Sequence, residues 1–525
     1  MVYLAQKLFL VVGLLAMARG CTDPAALQPN ERVLKGEKLD QYVTYFNQME
    51  PEDVVNYVPN AQSASWMKQN VPLFECPDSV LEKNYYYRWW TFRKHLKETP
   101  DGFVFTEFIT PVSHDGMHNT ISCALSHHVY EGRWLHNQEY LNQYVNFWFE
   151  TEKKSERSKY YKFSSWIGDA AYNRFLVNQD SAHVLALLDD FIEDYKTWEK
   201  TNNYGKNLFW QFDVRDGMEE SVSGSRREKN ARPTISSYMF GYANAIANLA
   251  TMAGKPEVAT EYKQNAATIK AAVQEHLWDD KDKFYKTRLE NGELHRAREA
   301  IGYIPWYFNL PDDSPAYAQA WEQVRDSAGF ASPWGLTTAE RREPTFRTRG
   351  SGHGCEWDGA IWPFASTQTL KGLANLLNNY SNHTMTKQDY YDALHTYAWS
   401  HQKNGKPYLG EYQDEKTGYW LKGDNPRSSY YNHSGFTDLV INDLVGLKPQ
   451  PGNSIEVQPL IPEGQWDWFC LDNVLYHNQI VTILWDKTGE KYGKGKGFRI
   501  FADGKEIHHS KDLKQAVAKL PSKKS

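Results

Sequence analysis

The chain is poor in several things that would define a class. It has five cysteines in 525 residues, widely spaced and without a C-x-x-C pair, which excludes a disulfide-framed scaffold and argues against a zinc cluster. Charge is nearly balanced at −6, so nothing points to a nucleic-acid or anionic-membrane partner. Beyond the first twenty residues there is no apolar run long enough to span a bilayer. No fixed-period repeat is present, which speaks against a helical solenoid. The glycine-rich stretch "GEKYGKGKG" (489–497) lacks the Ser/Thr after Gly-Lys and the spacing of a phosphate cradle. "RGSGHGC" (349–355) fails the same tests and reads as a flexible loop beside a pocket.

What the chain has in surplus is aromatic side chains, 14% of residues, with 19 Trp and 33 Tyr. Such a surplus serves a core, or a cleft whose flat walls stack on sugar rings. At the N-terminus Lys7 precedes "LFLVVGLLAMA", an apolar run of export-signal length. "ARGC" follows, ending at Cys21. It is similar to a bacterial lipoprotein cleavage site, with Arg19 departing from that pattern, so a lipid anchor on Cys21 is expected, and ordinary secretion is the alternative. The protein is therefore expected to be periplasmic or an outer-membrane lipoprotein, or else secreted. Triplets at Asn379, Asn382 and Asn432 have the form of glycan acceptors.

Residues 22–84 are polar and turn-rich and read as irregular or β. From 85 to 447 the chain reads as helices separated by aromatic-rich loops. In "PTISSYMFGYANAIANLATMAGK", Ile235, Met239, Ala243, Ile246 and Leu249 share one helical face, with Pro233 at the start and Gly254 at the end. About a dozen helices are expected, beginning near Tyr85, Asn119, Asn137, Trp166, Ser181, Thr234, Glu257, Arg296, Pro315, Gly359, Lys387 and Ser434. Consecutive hairpins of that number make an (α/α)6 toroid, in which loops at one end form a pocket. Residues 448–525 change to short β-branched runs and read as a small β domain, with a hairpin turn at Asp503-Gly504 and completion by strands from 30–80.

Two acidic stretches carry the chemistry. "RDGMEES" holds Asp216, Glu219 and Glu220, and "YLGEYQDEKTGYW" holds Glu411 with Tyr412, Tyr419 and Trp420. Between them "CEWDGAIWPF" holds Trp357, Asp358 and Trp362 at the start of a helix. Glycosidic bonds break between two carboxyl groups, one protonated and one ionised. A pair of acidic loops on distant hairpins fits that need.

These motifs resemble those of the clan of inverting (α/α)6 glycosidases that contains processing α-glucosidase I, mannosylglycerate hydrolase and, more distantly, trehalase. "GMEES" (217–221) matches the clan's G-[ML]-D-[ND]-[SAY] frame, and "EYQDEKTG" (411–418) its E-x-Y-x-P-x-T-G loop. "WDGAIW" (357–362) matches the W-x-G-P-x-W strip, and "HLWDDKDKFY" (276–285) the "LWD…GFY" hairpin ending. The resemblance implies Glu219 as general acid and Glu411 as general base in hydrolysis of an α-linked glycan with inversion, α-glucosidase-like, with no cofactor and no metal. Glu replaces Asp at the acid position, which leaves Glu220 or Asp216 as the alternative acid. Tyr412 directly follows Glu411, and the clan's Pro is Glu415.

Further substrate contacts are expected from Trp357, Asp358, Trp362, Asp216, Tyr412 and Trp420, and from Arg88 on the first helix. His114, Asp115 and His118 form a loop expected to contact substrate or to be plain structure. The rival readings are a glycan-binding lipoprotein without turnover, and a toroidal sugar epimerase or lyase.

Overall fold

The structure, a computed structural model, describes residues 32–113, 115–154, 160–348 and 354–522. The export signal, Cys21 and His114 lie outside the described residues. No helix among the described residues is long and apolar enough to cross a membrane.

Helices alternate between an inner and an outer ring. The inner ring comprises Leu125–Gly132, Ile167–Asn178, Pro233–Met252, Ile304–Tyr307 with the turn Ala300–Tyr303, Pro363–Asn379, and Phe436–Asp438 continued through Leu439–Leu444. Each packs on the next, and the last packs back on Leu125–Gly132, closing the circle. The outer ring is Ser79–His95, Glu139–Asn146, Leu188–Thr201, Pro256–His276, Pro315–Ala318 with Gln319–Val324, and Lys387–Ser400. This is an (α/α)6 toroid, and most expected helix starts fall within a few residues of an observed one; the helix expected from Tyr85 begins at Ser79, and the one expected from Arg296 begins as a turn at Ala300.

Local chemistry explains the starts. Pro stands in the first turn at Pro233, Pro256, Pro315 and Pro363, where its missing N–H is not needed. The Asp78 carboxylate accepts from the amides of Val80 and Leu81. Thr386 and Asp389 form a reciprocal capping box. The inner helices are buried nearly all round, as helices enclosed within a ring must be.

Residues 22–84 were expected to be irregular or β, but Glu37–Asn47 and Asn60–Asn70 are helices. The second buries Ser63, Trp66, Met67 and Asn70, too few apolar residues to leave a helical period in the sequence. Both pack on Ser79–His95. The strand Leu73–Glu75 pairs antiparallel with Trp468–Tyr476, Leu73 opposite Asp472. It forms the edge of a five-stranded sheet that continues through Gln479–Asp486, Gly497–Ala502 and Lys505–Ser510. Asp503 and Gly504 turn the last hairpin, both at positive φ, as a type I′ turn requires. His477 and Asn478 do the same one hairpin earlier.

The four described cysteines are unpaired. The acceptor triplet at Asn432 is corrected by burial: its side chain is fully enclosed and accepts from Arg88, so in the folded protein that site is closed to a glycan.

Candidate active site

Glu219 sits in a turn that leads to the inner helix Pro233–Met252. Gly217 lies at φ 67°, a backbone state that favours glycine, and a β-carbon there would come within 3.2 Å of Cys123. The turn is pinned by Asp213, whose Oδ2 accepts from the Glu220 amide at 3.0 Å. Burial pushes the Glu219 carboxyl up to about 7; its own amide and Lys422 oppose the shift, and Glu107 and Asp213 reinforce it. Such a group is half protonated near neutrality.

The two alternative acids are engaged elsewhere. Glu220 lies at positive φ and forms an ion pair with Arg347 Nη2. Asp216 accepts from Arg232 Nε at 2.7 Å and from the Thr234 hydroxyl, all fully enclosed. Asp216 braces the base of the turn, away from an open surface, which departs from its expected contact with substrate. Of the three carboxyls, only Glu219 is not committed to an ion pair.

Glu411 is held the opposite way. Its Oε2 accepts from Lys422 Nζ at 2.8 Å, its Oε1 accepts from Ser428 Oγ at 2.8 Å, and Arg427 Nη2 stands 3.6 Å away. Two cations and a hydroxyl are suited to an ionised carboxylate. Gly410 precedes it because a β-carbon there would come within 2.7 Å of the Trp420 ring and 2.9 Å of Tyr408. Trp420 donates to the Gln402 carbonyl at 2.9 Å and is buried. It is the bed on which the base loop lies, rather than the sugar contact expected of it.

Backbone bonds join the motifs. Gln413 exchanges amide and carbonyl bonds with Ile361, at 3.0 and 2.9 Å, and the Trp357 amide donates to the Glu219 carbonyl at 3.4 Å. Trp357 stacks on Trp362 with centroids 4.5 Å apart, and Trp362 on Tyr412 at 4.6 Å. The three rings are buried. They form a column behind the carboxyls, and Trp357 lines a small cavity with Met218 and Ser221. Asp358 lies 3.0 Å from Arg347 Nε; burial lifts its carboxyl to about 6, with Arg347 opposing. Arg347 thus clamps Glu220 to Asp358.

Arg88 does not meet a substrate either. It is fully enclosed, with Nη2 2.5 Å from both Glu131 Oε2 and Asn432 Oδ1 and Nε 3.0 Å from the Ser434 carbonyl. This buried pair ties the outer ring to the inner ring and to the loop that carries His433.

A third carboxyl, not singled out from the sequence, stands beside the other two. Glu107 Oε1 accepts from Tyr431 Oη at 2.8 Å and lies 2.8 Å from His433 Nε2. Burial lifts Glu107 to about 8; the Tyr431 bond opposes this and Glu411 adds to it. Asp115, from the expected substrate loop, is buried beside it, while His118 pairs with Asp101 at 2.7 Å outside this cluster. Burial drives His433 down to about 3, so the imidazole is neutral. Glu107, Cys123 and His433 are also the described set whose potential ligand atoms lie within 4.8 Å of one another. "TEF" (106–108) carries no motif frame, so the signal for Glu107 lay only in three dimensions. Lys422 was missed for the same reason.

The geometry therefore offers a carboxyl half protonated near neutrality and a carboxylate held by cations in the loops of an (α/α)6 toroid, with a buried aromatic stack in place of the sugar contacts expected of Trp357, Trp362 and Tyr412. The family model of the mannosylglycerate hydrolase MGH1-like glycoside hydrolase domain matches residues 117–434, a span that contains Glu219, the tryptophan strip and Glu411. The chain belongs to this family. It is a glycoside hydrolase. Residues 448–509 match the C-terminal domain of glycosyl hydrolase family 65, which covers most of the sheet region.

A solved sialidase structure is 48% identical, with a TM-score of 0.91, over 95% of this chain and 46% of that one. An α-L-rhamnosidase from Dictyoglumus thermophilum, 12% identical, shares the fold with a TM-score of 0.53 over 80% of this chain and 43% of that one. An uncharacterized protein of Borreliella burgdorferi is 21% identical over 210 residues, 40% of this chain and 42% of that one. The chain thus spans less than half the length of these relatives.

Proposed function

We propose that this glycoside hydrolase cleaves an α-linked glycan with inversion, using Glu219 as general acid and Glu411 as general base. The observation that carries the reading is the opposed electrostatics of the two carboxyls. Glu219 is partly enclosed and has no cationic partner in direct contact, so burial favours its protonated form. Glu411 is gripped by Lys422, Arg427 and Ser428, so it can accept a proton from water. One carboxyl that keeps its proton beside another that can take one is how a single site runs acid and base chemistry together.

In the proposed step Glu219 protonates the leaving glycosidic oxygen while the bond to the anomeric carbon lengthens. Water, losing its proton to Glu411, closes on the opposite face of the oxocarbenium-like centre. The products are the sugar hemiacetal of inverted configuration and the free alcohol. Glu219 ends ionised and Glu411 protonated, and exchange with solvent resets both. The Trp357–Trp362–Tyr412 column stiffens the strip between the two loops, and Arg347 fixes Glu220 and Asp358 at its edge. We further propose export to the periplasm or outer membrane, with Cys21 as a lipid anchor, or secretion, as the N-terminal sequence suggests.

The test is hydrolysis of a panel of aryl α-glucosides, α-mannosides, α-galactosides, α-rhamnosides and an α-sialoside, the last because of the name of the 48% identical relative. Turnover of one of these, lost in Glu411→Gln, is the expected result. Binding without turnover, unchanged in Glu411→Gln, would replace the hydrolase reading of this site with that of a glycan-binding protein.

A further inference from the structure

A second pocket lies on the outer ring, between helix Ser79–His95 and the hairpin that follows helix Lys387–Ser400. It has a volume of about 240 Å³, room for one sugar ring rather than a chain. Its lining includes Asn84, Trp399, Gln402 and Lys406. Trp399 is 48% exposed, an unusual place for the largest apolar side chain. Its ring stands 6.5 Å from that of Trp334, at 29° to it.

Asn84 is the decisive residue. It sits in the middle of an α-helix, where asparagine is a poor choice unless its side chain is used. It is buried, with a residual exposure of 4%. Neither its amide nitrogen nor its carbonyl oxygen has a hydrogen-bond partner, and it makes none of the local backbone bonds that asparagine forms at caps. A buried amide left in that state is costly to the fold. Asn84 thus brings an unpartnered, solvent-shielded carboxamide to the wall of the pocket, whose lining also holds a half-exposed indole.

We propose that this pocket is a second carbohydrate site, distinct from the carboxyl cluster, which takes one terminal pyranose of a glycan. The Trp399 ring would pack on the C–H face of the sugar. The Asn84 carboxamide would accept from one hydroxyl and donate to its neighbour, the pattern that vicinal hydroxyls present. Lys406 stands at the edge, so a neutral and an anionic pyranose are the two forms to compare. The site would hold the protein on its polymer while the toroid works elsewhere on the chain. It goes beyond the hydrolase reading and does not require it.

The experiment uses the full chain carrying Glu411→Gln, so that no probe is consumed. Methyl α-glucoside, methyl α-mannoside, methyl α-rhamnoside and the methyl α-glycoside of N-acetylneuraminic acid are titrated by saturation-transfer NMR. At least one should bind and become roughly tenfold weaker on Trp399→Ala, the size of one good aromatic contact, and weaker also on Asn84→Ala. Both variants should keep the circular dichroism of the parent and, with Glu411 restored, unchanged kcat/KM on a small aryl glycoside. If no probe is weakened by either substitution, the second site does not exist. If binding responds as stated while no aryl glycoside is turned over by any form, the pocket stands and the hydrolase mechanism falls.

Discussion

The amide of Trp357 donates to the carbonyl of Glu219 over 3.4 Å, so the tryptophan strip and the proposed acid share a backbone hydrogen bond. The strip in turn exchanges two bonds with the Glu411 loop through Ile361 and Gln413. Substitutions in the strip should therefore act on catalysis by moving the acid.

Glu219→Gln should lose roughly 10²–10⁴ in turnover on substrates with poor leaving groups, and far less on activated aryl glycosides that barely need a proton. Glu220→Gln releases Arg347 and should show no such dependence. A Brønsted plot of kcat against leaving-group pKa checks the assignment, and a steep dependence created by the Glu220 variant instead would move the acid by one residue.

Trp362→Ala removes the middle of a buried stack and should cost about 3–5 kcal/mol of stability. Tyr412 and Trp357 would lose their shared neighbour, so kcat should fall more than KM rises. Thermal melts with kinetics on the same preparation distinguish this from an open sugar platform, whose loss would raise KM with little change in melting temperature.

The alkaline limb of kcat/KM should fall near pH 7, where Glu219 gives up its proton. Glu107, pushed up to about 8 by burial, is still largely protonated there, so Glu107→Gln, which mimics the neutral acid, should leave the limb in place. A limb that moves clearly to lower pH would show that Glu107 is ionised in the working site.

Stability should decline on both sides of a mildly acidic plateau. Buried His136, His401 and His433 have folded values of about 4, 4 and 3, against roughly 6.5 when unfolded. The unfolded chain takes up more protons there, so stability is lost as pH falls from about 6.5. Glu107, Glu131 and Glu219 have folded values of about 8, 7 and 7, against roughly 4.3 unfolded. For these the folded state binds more protons, so stability is lost as pH rises from about 4.3 toward 8. Above pH 6.5 only the second group acts. A melting temperature that climbs steadily from pH 7 to 9 would contradict the assignment.

Inversion is checked by proton NMR of the first-formed sugar. An α-glucoside should release the β-anomer before mutarotation. Release of the α-anomer would make Glu411 a nucleophile, which requires carboxyls only about 5–5.5 Å apart instead of about 6.5–9.5 Å.

Much of this was legible in the sequence, for physical reasons that differ by element. The helix Pro233–Met252 announced itself through a proline start and apolar spacing, and Asp503-Gly504 through a dipeptide that tolerates positive φ. Helix Asn60–Asn70 was hidden because its buried face includes Ser63 and Asn70, polar residues satisfied by tertiary contacts the sequence does not display. Glu219 and Glu411 stood out as carboxyls in framed loops. Glu107 did not, since its place beside them is made by the toroid closing on itself. Asp216, Arg88 and Trp420 have the residue types of ligand contacts, and only burial reveals that their polar atoms are spent on the protein.

Leu73–Glu75 is an edge strand whose sole strand partner, Trp468–Tyr476, comes from the far end of the chain. The Asn473 side chain likewise reaches the Val71 carbonyl, 402 positions away. A chain emerging from a ribosome or a translocation channel must therefore extend beyond Trp468 before Leu73–Glu75 can be paired. Until then helix Ser79–His95, which packs on that strand, lacks that cover. Loss of even the last sheet strands would be felt first at the opposite terminus, as proteolysis near residue 73 rather than near the cut end.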